Sequence, residues 1–312
     1  MKNEFIKSPL NYTGNKNRIY DQISKFFPKN IDTMVDLFCG GATVGLNTSC
    51  EKIFFIDFNN RVISLLKFLA KQDEEKIINK IEGILKKYNL SFSYKYGYKK
   101  YRSQCGNAKD NNGLKDYNSK GYYLLRSDYN SLVNKNTDKA NLLLYILMVY
   151  SFNNDIRFNA AGEFNLPIGK TDMNKSNILK LLNYIKKTKK INCEFLCMSF
   201  EEKGMDSILE KADFVYMDPP YLITDAVYNI GWTPEMERRL LSFMDMLIKK
   251  GINFALSNVL SKGNKTNILL DRWISQRNVK VIDIDYNYRS ASYNKKNREI
   301  AEREVLIVYE NK

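Results

Sequence analysis

The segment TMVDLFCGGATVG, residues 33–45, decides the fold that we predict for this chain of 312 residues. Thr33 to Phe38 has the pattern of a short buried strand, and it runs directly into the turn Cys39-Gly40-Gly41 and then into a helical pattern. Strand, glycine turn and helix in that order are typical of folds that bind nucleotides, because glycine lets the backbone approach a ligand closely. The spacing differs from the pyrophosphate-binding pattern G-x-G-x-x-G, which favours a ligand without a pyrophosphate.

An acidic residue follows the next predicted strand. Lys52 to Ile56 has a strand pattern and ends at Asp57, about 20 residues after Asp36, which is where dinucleotide-binding folds carry the acid that holds ribose hydroxyls. Asp57 is therefore a candidate ligand of a nucleoside. Capping of the helix that starts near Asn59 is an alternative role for the same carboxylate, and the two roles are compatible.

A candidate reaction site follows a later strand. The apolar run Phe214 to Met217 breaks abruptly into Asp218-Pro219-Pro220-Tyr221. Proline cannot continue the hydrogen-bond ladder of a strand, so we expect Asp218 at the carboxyl end of that strand, where ligands bind in open α/β sheets. Taken alone, the pattern suits a strand that ends in a proline turn equally well.

The composition limits the chemistry. The chain has no histidine, which excludes Ser-His-Asp hydrolysis, Cys-His proteolysis and most histidine-ligated metal sites. Its five cysteines are scattered without a Cys-x-x-Cys pair, which argues against a disulfide framework or a zinc site. The net charge of +14 and the isoelectric point of about 9.3 favour a polyanionic partner, although a generally basic surface would give the same values.

No segment of the sequence is expected to lie in a membrane. The longest apolar run, Leu142 to Phe152, is shorter than the ~20 residues that cross a bilayer. Met1 to Tyr12 lacks the apolar centre of a signal peptide. We therefore expect a globular, cytoplasmic protein.

The region between Lys86 and Lys135 is rich in positive charge and in aromatic rings. It contains eleven lysines and arginines, three aspartates and ten aromatic residues. Cations neutralise phosphates and rings stack on exposed bases, so this composition is typical of a nucleic-acid surface; a tyrosine-rich structural insertion is the alternative. The stretch 153–171 has the glycine, asparagine and proline content of a hairpin or an ordered loop. Its candidate donors to base edges or phosphates are Arg157, Asn159, Asn165 and Lys170.

The order of the predicted elements gives the fold class. We expect an α/β protein with a Rossmann-like sheet of six or seven strands, interrupted by a mostly helical insertion that contains a hairpin. Residues 1–85 and 191–312 form the predicted catalytic domain, and residues 86–190 form the predicted insertion. The other predicted helices are 62–69, 77–88, 140–152, 178–185 and 232–248, and the other predicted strands are 192–197, 253–257, 279–284 and 305–309.

These patterns together indicate methylation of an exocyclic amine. A glycine turn with a downstream ribose acid implies a nucleoside cofactor. Asp218 and the Pro219 carbonyl could hold both hydrogens of an adenine or cytosine amino group, whose lone pair is otherwise delocalised into the ring, while Tyr221 could stack on the base. Placement and electrostatics can drive such a reaction without histidine or a metal, and a target inside a duplex must be flipped out of the stack.

Four motifs resemble those of the Dam-type (alpha-class, D12) DNA adenine N6 methyltransferases and most closely those of the phage-encoded branch. They occur in the order of that family, from residue 10 to about 309, as Tyr12 to Lys16, Asp36 to Gly41, the recognition segments Leu125 to Asn130 and Phe152 to Gly169, and Asp218 to Thr224. The resemblance implies a methyltransferase sheet of the Rossmann-like type with an inserted target-recognition domain. It also implies S-adenosylmethionine as the cofactor and double-stranded DNA as the substrate.

The resemblance implies a role for individual residues. The S-adenosylmethionine site is expected to comprise Tyr12, Lys16, Asp36, Phe38, Gly40, Asp57 and Asp218. The catalytic motif is expected to be Asp218, Pro219, Pro220 and Tyr221, and no metal is expected. The residues expected on DNA are Arg126, Phe152, Arg157, Asn159 and Lys170, of which Phe152 enters the base stack.

We therefore predict a site-specific DNA adenine N6 methyltransferase that flips its target base. GATC is a candidate target, a cognate restriction endonuclease is a candidate partner, and a monomer or weak dimer is expected. Two features depart from the compact phage enzymes: residues 91–120 form a longer stretch, and Thr171 stands where those enzymes carry a guanine-reading arginine, which the neighbouring Lys170 replaces only as a point donor. The alternatives are methylation of cytosine N4 or of adenine in RNA, and a DNA-binding protein without activity on the same scaffold.

Overall fold

The computed structural model describes residues 5–11, 14–105, 111–224, 231–285 and 302–311. The chain divides into two compact units. The helical unit comprises Met1–Asn15 and Asn59–Ile191, and the sheet unit comprises Lys16–Phe58 and Asn192–Lys312.

The sheet unit is built on eight strands among the residues described. They are β1 (Thr33–Leu37), β2 (Lys52–Asp57), β3 (Asn192–Cys197), β4 (Phe214–Met217), β5 (Asn253–Lys262), β6 (Lys265–Thr266), β7 (Lys280–Ile284) and β8 (Glu302–Tyr309). The order across the sheet is β3-β2-β1-β4-β5-β8-β7, with β6 paired to β5. The first five strands pair in parallel, and β8 is antiparallel to both β5 and β7.

The direction of strand order reverses between β1 and β4, since β2 and β3 lie on one side of β1 and the later strands on the other. Ligands in open α/β sheets bind outside the carboxyl ends of the strands at such a reversal. Leu37 and Met217 are partners in the parallel register, and the amide nitrogen of Asp218 lies 3.4 Å from the carbonyl oxygen of Leu37. The segments that follow β1 and β4 therefore start side by side at this edge.

Helices cover the sheet and enclose its core. In the sheet unit they are α1 (Tyr20–Ile23), α2 (Thr43–Asn47), α10 (Gly204–Leu209), α11 (Pro234–Lys250) and α12 (Ile268–Ser275). Thr233 caps α11 by accepting the amide of Met236, Pro234 fits its first position and Gly251 ends it in a left-handed conformation. Its apolar stripe, which includes Leu240, packs into one buried cluster with sheet residues such as Val215.

The helical unit is organised around one buried helix. Its helices are α3 (Asn60–Ala70), α4 (Glu74–Lys87), α5 (Ser93–Tyr96), α6 (Tyr98–Arg102), α7 (Lys115–Asn130), α8 (Asp138–Tyr150) and α9 (Lys175–Thr188). Every residue of α8 from Ala140 to Tyr150 is buried, and α3, α4 and α7 all pack on it. A helix that is apolar on all sides belongs in the centre of a bundle, which the dense apolar run predicts.

The predicted α/β class with a Rossmann-like sheet is confirmed, and the sheet has eight strands where six or seven were predicted, with local differences in element bounds. The predicted helix 140–152 ends at Tyr150, because Ser151 is extended, and Phe152 starts a separate 3-10 turn, Phe152–Asn154. The strand predicted at 305–309 begins at Glu302, since β5 pairs with its charged start as well as with its apolar part. No helix among the described ranges is both long and apolar enough to cross a membrane.

Candidate functional site

The glycine turn after β1 is wound tightly at the carboxyl edge of the sheet. Phe38, Gly40 and Ala42 all have positive φ, of 62°, 47° and 62°. Left-handed backbone costs a non-glycine residue about 1–3 kcal/mol and is concentrated at ligand-binding sites. In this strained turn the amide of Gly40 donates a hydrogen bond to the carboxylate of Asp57, with 3.0 Å between Gly40 N and Asp57 Oδ2.

Two buried carboxylates lie beneath this turn. Asp57 ends β2, as predicted, and is almost fully buried. Asp36 lies inside β1, where its Oδ2 accepts the amide of Gly45 in α2 at 2.9 Å. Burial raises the pKa of Asp36 well above its ordinary value; the Gly45 amide opposes this shift, and the charges of Asp218 and Asp57 add to it. Three acids, Asp36, Asp57 and Asp218, therefore lie close together at this edge.

Asp218 leaves the sheet directly after β4 and is held by two side chains. Its Oδ2 lies 2.8 Å from Nζ of Lys16, and its Oδ1 accepts the hydroxyl of Tyr221 at 2.9 Å. Nζ of Lys16 also donates to the Tyr221 hydroxyl at 2.8 Å. The Lys16 side chain is 6% exposed and that of Asp218 20%, so the carboxylate remains accessible while its cation is buried.

A second acid, Glu304, completes this cluster, and the sequence patterns did not identify it. Glu304 lies on β8, is 7% exposed and has its Oε1 3.9 Å from Nζ of Lys16. Burial raises the pKa of Glu304; Lys16 opposes the shift and Asp218 adds to it. The sequence signal for Glu304 was its position next to the apolar run 305–309. An acid in that position is also common at an exposed strand end, so it did not indicate a buried site.

An aromatic wall stands beside the turn. The ring of Phe38 packs against Trp232 and Phe200, with centroids 5.8 and 5.7 Å apart. The indole Nε1 of Trp232 donates to the buried Glu237 at 2.7 Å, and Glu237 also accepts from Asn267 at 2.7 Å. The sequence patterns identified Phe38 as a site residue, but they did not predict that Glu237 holds the neighbouring Trp232 in place.

The residues at this edge fit a ligand that carries hydroxyl groups and positive charge. Asp57 and Asp218 offer acceptor oxygens. Oγ1 of Thr43, at the start of α2, is buried without a hydrogen-bond partner among the residues described. No group of three acidic or cysteine side chains suited to a metal ion occurs among the described residues. Tyr12 lies outside the described residues.

In the helical unit, Phe152 is presented by a strained loop. Its ring is 52% exposed, and the next residues, Asn153 and Asn154, are both left-handed with φ of 58° and 54°. The loop is fixed from below: Ser151 pairs with Ile168, and the amide of Phe152 donates to Pro167 O at 2.8 Å. An exposed aromatic ring on a fixed, strained loop is unusual and indicates a contact surface.

The predicted hairpin is present, and several of its polar groups are used inside it. Phe158 pairs with Phe164. Asn159 bonds Glu163 twice, through its Nδ2 to the carboxylate and through its Oδ1 from the amide, both at 2.9 Å. Nε of Arg157 donates to Asn165 at 2.9 Å. These contacts shape the tip, and both Arg157 and Asn159 remain exposed.

The other residues expected on DNA differ in their surroundings. Arg126 donates to Leu166 O at 3.0 Å and covers the ring of Tyr123, so it braces the hairpin segment. The Lys170 side chain is exposed. The neighbouring Thr171 bonds Val149 O and Asn154 through its hydroxyl, at 3.2 and 2.8 Å, and so fixes the strained loop.

The stretch 93–102 presents a basic aromatic surface, consisting of α5 and α6. Tyr94, Tyr96 and Tyr98 are exposed, and the ammonium group of Lys100 lies 4.6 Å from the ring of Tyr96. Glu82 of α4 fixes α5 from below, by accepting from Lys95 and from the Tyr96 hydroxyl at 2.6 Å each. Cation–π pairs at a surface keep both rings and charges available to a polyanion.

Comparison with known proteins finds one matching family and several similar enzymes. The family described as D12 class N6 adenine-specific DNA methyltransferase matches residues 12–290. Modification methylase StsI of Streptococcus sanguinis is 36% identical over 318 aligned residues, which cover 99% of this chain and 44% of that protein. Type II methyltransferase M.FokI of Planomicrobium okeanokoites is 37% identical over 98% of this chain and 43% of its own length.

A third relative matches along nearly its whole length. DNA adenine methylase of Escherichia coli (strain K12) is 25% identical over 96% of this chain and 94% of its own. The chain thus spans less than half the length of StsI and M.FokI, but it aligns with almost all of the shorter enzyme.

Proposed function

The chain belongs to the D12 class of N6 adenine-specific DNA methyltransferases, and on that premise we propose that it transfers a methyl group from S-adenosylmethionine to N6 of adenine in duplex DNA. One observation supports this most strongly. Asp218 stands at the carboxyl end of β4, next to the strained turn after β1, with its carboxylate accessible and its counter-ion buried.

The cofactor site that we propose is the carboxyl edge around the turn. Bound there, S-adenosylmethionine supplies an electrophilic methyl group on a positively charged sulfur. Asp57 would hold ribose hydroxyls, and the accessible carboxylate of Asp218 would favour the positive charge. Phe38, Gly40, Asp36 and Lys16 shape or hold this edge, and Tyr12 is assigned to it by family resemblance alone.

Asp218 and the Pro219 carbonyl are the proposed acceptors for the two amino hydrogens of the target base. Accepting both hydrogens withdraws the nitrogen lone pair from the ring and makes it available for attack. Tyr221 is only 8% exposed, and its hydroxyl bonds Asp218. This burial supports a positioning role for Tyr221, and its stacking on the base stays a prediction; Pro219 and Pro220 end the strand so that Asp218 points out of the sheet edge.

DNA recognition is proposed for residues 86–190. The exposed ring of Phe152 supports insertion into the base stack, and Arg157, Asn159 and Lys170 are exposed donors on the adjoining hairpin and loop. Arg126 would act indirectly, by holding the hairpin segment. Base flipping, the GATC target, a cognate endonuclease, the monomer or weak dimer and the cytoplasmic location all stay predictions.

The test is nucleoside analysis of the product. Purified protein is incubated with labelled S-adenosylmethionine and unmethylated genomic duplex DNA, and the DNA is digested to nucleosides. We expect label in N6-methyladenine. Label in N4-methylcytosine, or label only when RNA is supplied, would favour the alternative enzymes, and no label in either nucleic acid despite DNA binding would favour a protein without activity. Sequencing the methylated positions then gives the target site.

A further inference from the structure

The cluster around Lys16 contains one more acid than the proposed reaction uses. Lys16 bonds Asp218 directly at 2.8 Å, whereas Glu304 lies 3.9 Å from the same nitrogen. Both acids and the lysine are largely removed from water. Two carboxylates that share one cation leave either one excess negative charge or one bound proton.

Tyr221 connects the two acids. Its hydroxyl donates its single proton to Oδ1 of Asp218 at 2.9 Å, and Glu304 lies within reach of the same hydroxyl once the O–H bond turns towards it. Burial and the surrounding acids raise the pKa of Tyr221 well above its ordinary value, so the phenol stays neutral. A neutral hydroxyl between two carboxyl groups can accept a proton from one while it donates its own to the other.

Among the residues that the structure describes, few other charged groups act on Glu304. Lys16 faces it from the segment before α1, and Asp218 and Tyr221 face it from the segment after β4. Glu302 on the same strand adds a weaker negative charge, and Glu302 is itself paired with Lys262 at 2.7 Å. The register partners of Glu304 on β5 and β7 are the apolar residues Val259 and Ile284.

We propose that Glu304 is the terminal acceptor of the proton that the target amine releases, reached from Asp218 through the hydroxyl of Tyr221. The inference rests on the proposed function. The N6 lone pair forms the new N–C bond, the C–S bond breaks with its electron pair going to sulfur, and N6 becomes positively charged. An N–H bond then breaks with its pair staying on nitrogen; its proton goes to Asp218, Asp218 protonates the Tyr221 oxygen, and the original hydroxyl proton moves to Glu304.

Burial raises the pKa of Glu304, which favours a proton on this carboxyl group. Once the proton has moved to Glu304, Asp218 is a free carboxylate again and can accept the next target amine. Asp218 is thus restored while methylated DNA is still bound. In this route Asp218 contacts the substrate, whereas Glu304 acts indirectly, through the hydroxyl of Tyr221.

The test measures methyl transfer in a single turnover, with enzyme in excess over unmethylated genomic DNA and labelled S-adenosylmethionine, from about pH 5 to 9. In the wild type we expect the rate to fall towards acid pH, because protonated Glu304 cannot accept. Glu304→Gln should lower the rate at neutral pH at least ~10-fold and change this acid limb, leaving only the part that Asp218 contributes, whereas Glu304→Asp should keep the wild-type limb. Tyr221→Phe should reproduce the effect of Glu304→Gln. Glu302→Gln, an acid on the same strand outside the cluster, should behave as the wild type.

A binding measurement adds a readout without turnover. S-adenosylmethionine is titrated calorimetrically in two buffers of different ionisation enthalpy at a pH on the acid limb. A positively charged ligand favours ionised Glu304, so the wild type and Glu302→Gln should release protons on binding, and Glu304→Gln should release fewer.

The outcomes separate this inference from the proposed function. If the wild type makes no N6-methyladenine, the proposed function fails, and the inference fails with it. If the wild type methylates DNA but Glu304→Gln keeps the wild-type rate, acid limb and proton release, only the role of Glu304 is wrong. If the rate of Tyr221→Phe falls towards acid pH as it does in the wild type, the route is wrong. This measurement decides the question even if Glu304→Gln does not fold.

Discussion

At the scale of single residues, Asp218 owes its properties to two neighbours. Lys16 pairs with its carboxylate and Tyr221 fixes its orientation, while a fifth of the side chain remains accessible. A charged pair is strong when its cation is buried and its geometry is fixed by further hydrogen bonds, and both conditions hold here. The same contacts explain why the carboxylate can face a substrate without rotating away.

Asp218→Ala is expected to lower kcat about a thousand-fold while the affinity for DNA stays within a few fold. The reason is that Asp218 is the proposed contact of the reacting amine, whereas the proposed DNA contacts lie in residues 86–190. Initial methylation rates and fluorescence anisotropy with labelled duplex DNA measure the two quantities. Asp206→Ala is the matched control, because Asp206 is an exposed acid in a surface ion pair with Lys250, and such pairs contribute little. Equal losses of rate and of DNA affinity in Asp218→Ala would mean that Asp218 is structural.

At the scale of secondary-structure elements, the loop of Phe152 depends on a close backbone approach. Gly169 lies against Ser151, and a Cβ at position 169 would collide with the carbonyl oxygen of Ser151 and crowd the amide of Phe152. The obstacle is backbone rather than the end of a flexible side chain, so the loop itself must move. This close backbone contact explains why glycine occupies position 169 although its φ is not positive.

Gly169→Ala is expected to destabilise the protein by about 1–3 kcal/mol, as overpacking does, and to weaken DNA binding, because the strained loop shifts. Gly83→Ala is the control, since Gly83 lies in α4 with nothing within 4 Å of an added Cβ. Alanine is favoured over glycine inside a helix, so that change should stabilise by about 0.5–1 kcal/mol. Denaturant unfolding measures both effects. An equal gain in stability in the two variants would show that position 169 has room for a methyl group.

At the scale of the whole molecule, the charge of +14 indicates how the protein approaches its substrate. Much of this charge is carried by exposed lysines, including those that accompany exposed tyrosines on the basic aromatic surface of α5 and α6. Each phosphate that a lysine neutralises releases counterions, which makes affinity depend on salt. Rings between the charges add contacts that salt does not weaken.

The affinity for DNA should therefore fall steeply between about 50 and 200 mM salt, with a slope in log–log form of about 0.9 for each phosphate contacted. Removing the charges of Lys99 and Lys100 together should reduce that slope by about 2, and Tyr96→Phe, which keeps the ring, should leave it unchanged. Anisotropy titrations across this salt range provide the slopes. A slope that is flat in the wild type would contradict a phosphate-binding role for the basic surface.

Much of the architecture followed from local sequence patterns. The run of residues 33–45 predicted a strand, a turn and a helix, and β1, the strained turn and α2 occupy those positions. Asp57 and Asp218 were expected at strand ends and lie there. These predictions succeed because burial in a strand or helix imposes a short period on the sequence, and because proline and glycine restrict the backbone wherever they occur.

The sequence by itself determined the α/β class, the strand-end positions of Asp57 and Asp218, and the family. Only the tertiary structure decided which charges meet: Lys16, Asp218 and Glu304 come from three distant segments and share one buried cluster. The strand order brings them together, with β4 between β1 and β5, and β8 beside β5. A local pattern reports whether a side chain is buried, but not its partner. The partner depends on long-range register, and the free energy of burying a charge then requires that an opposite charge be there.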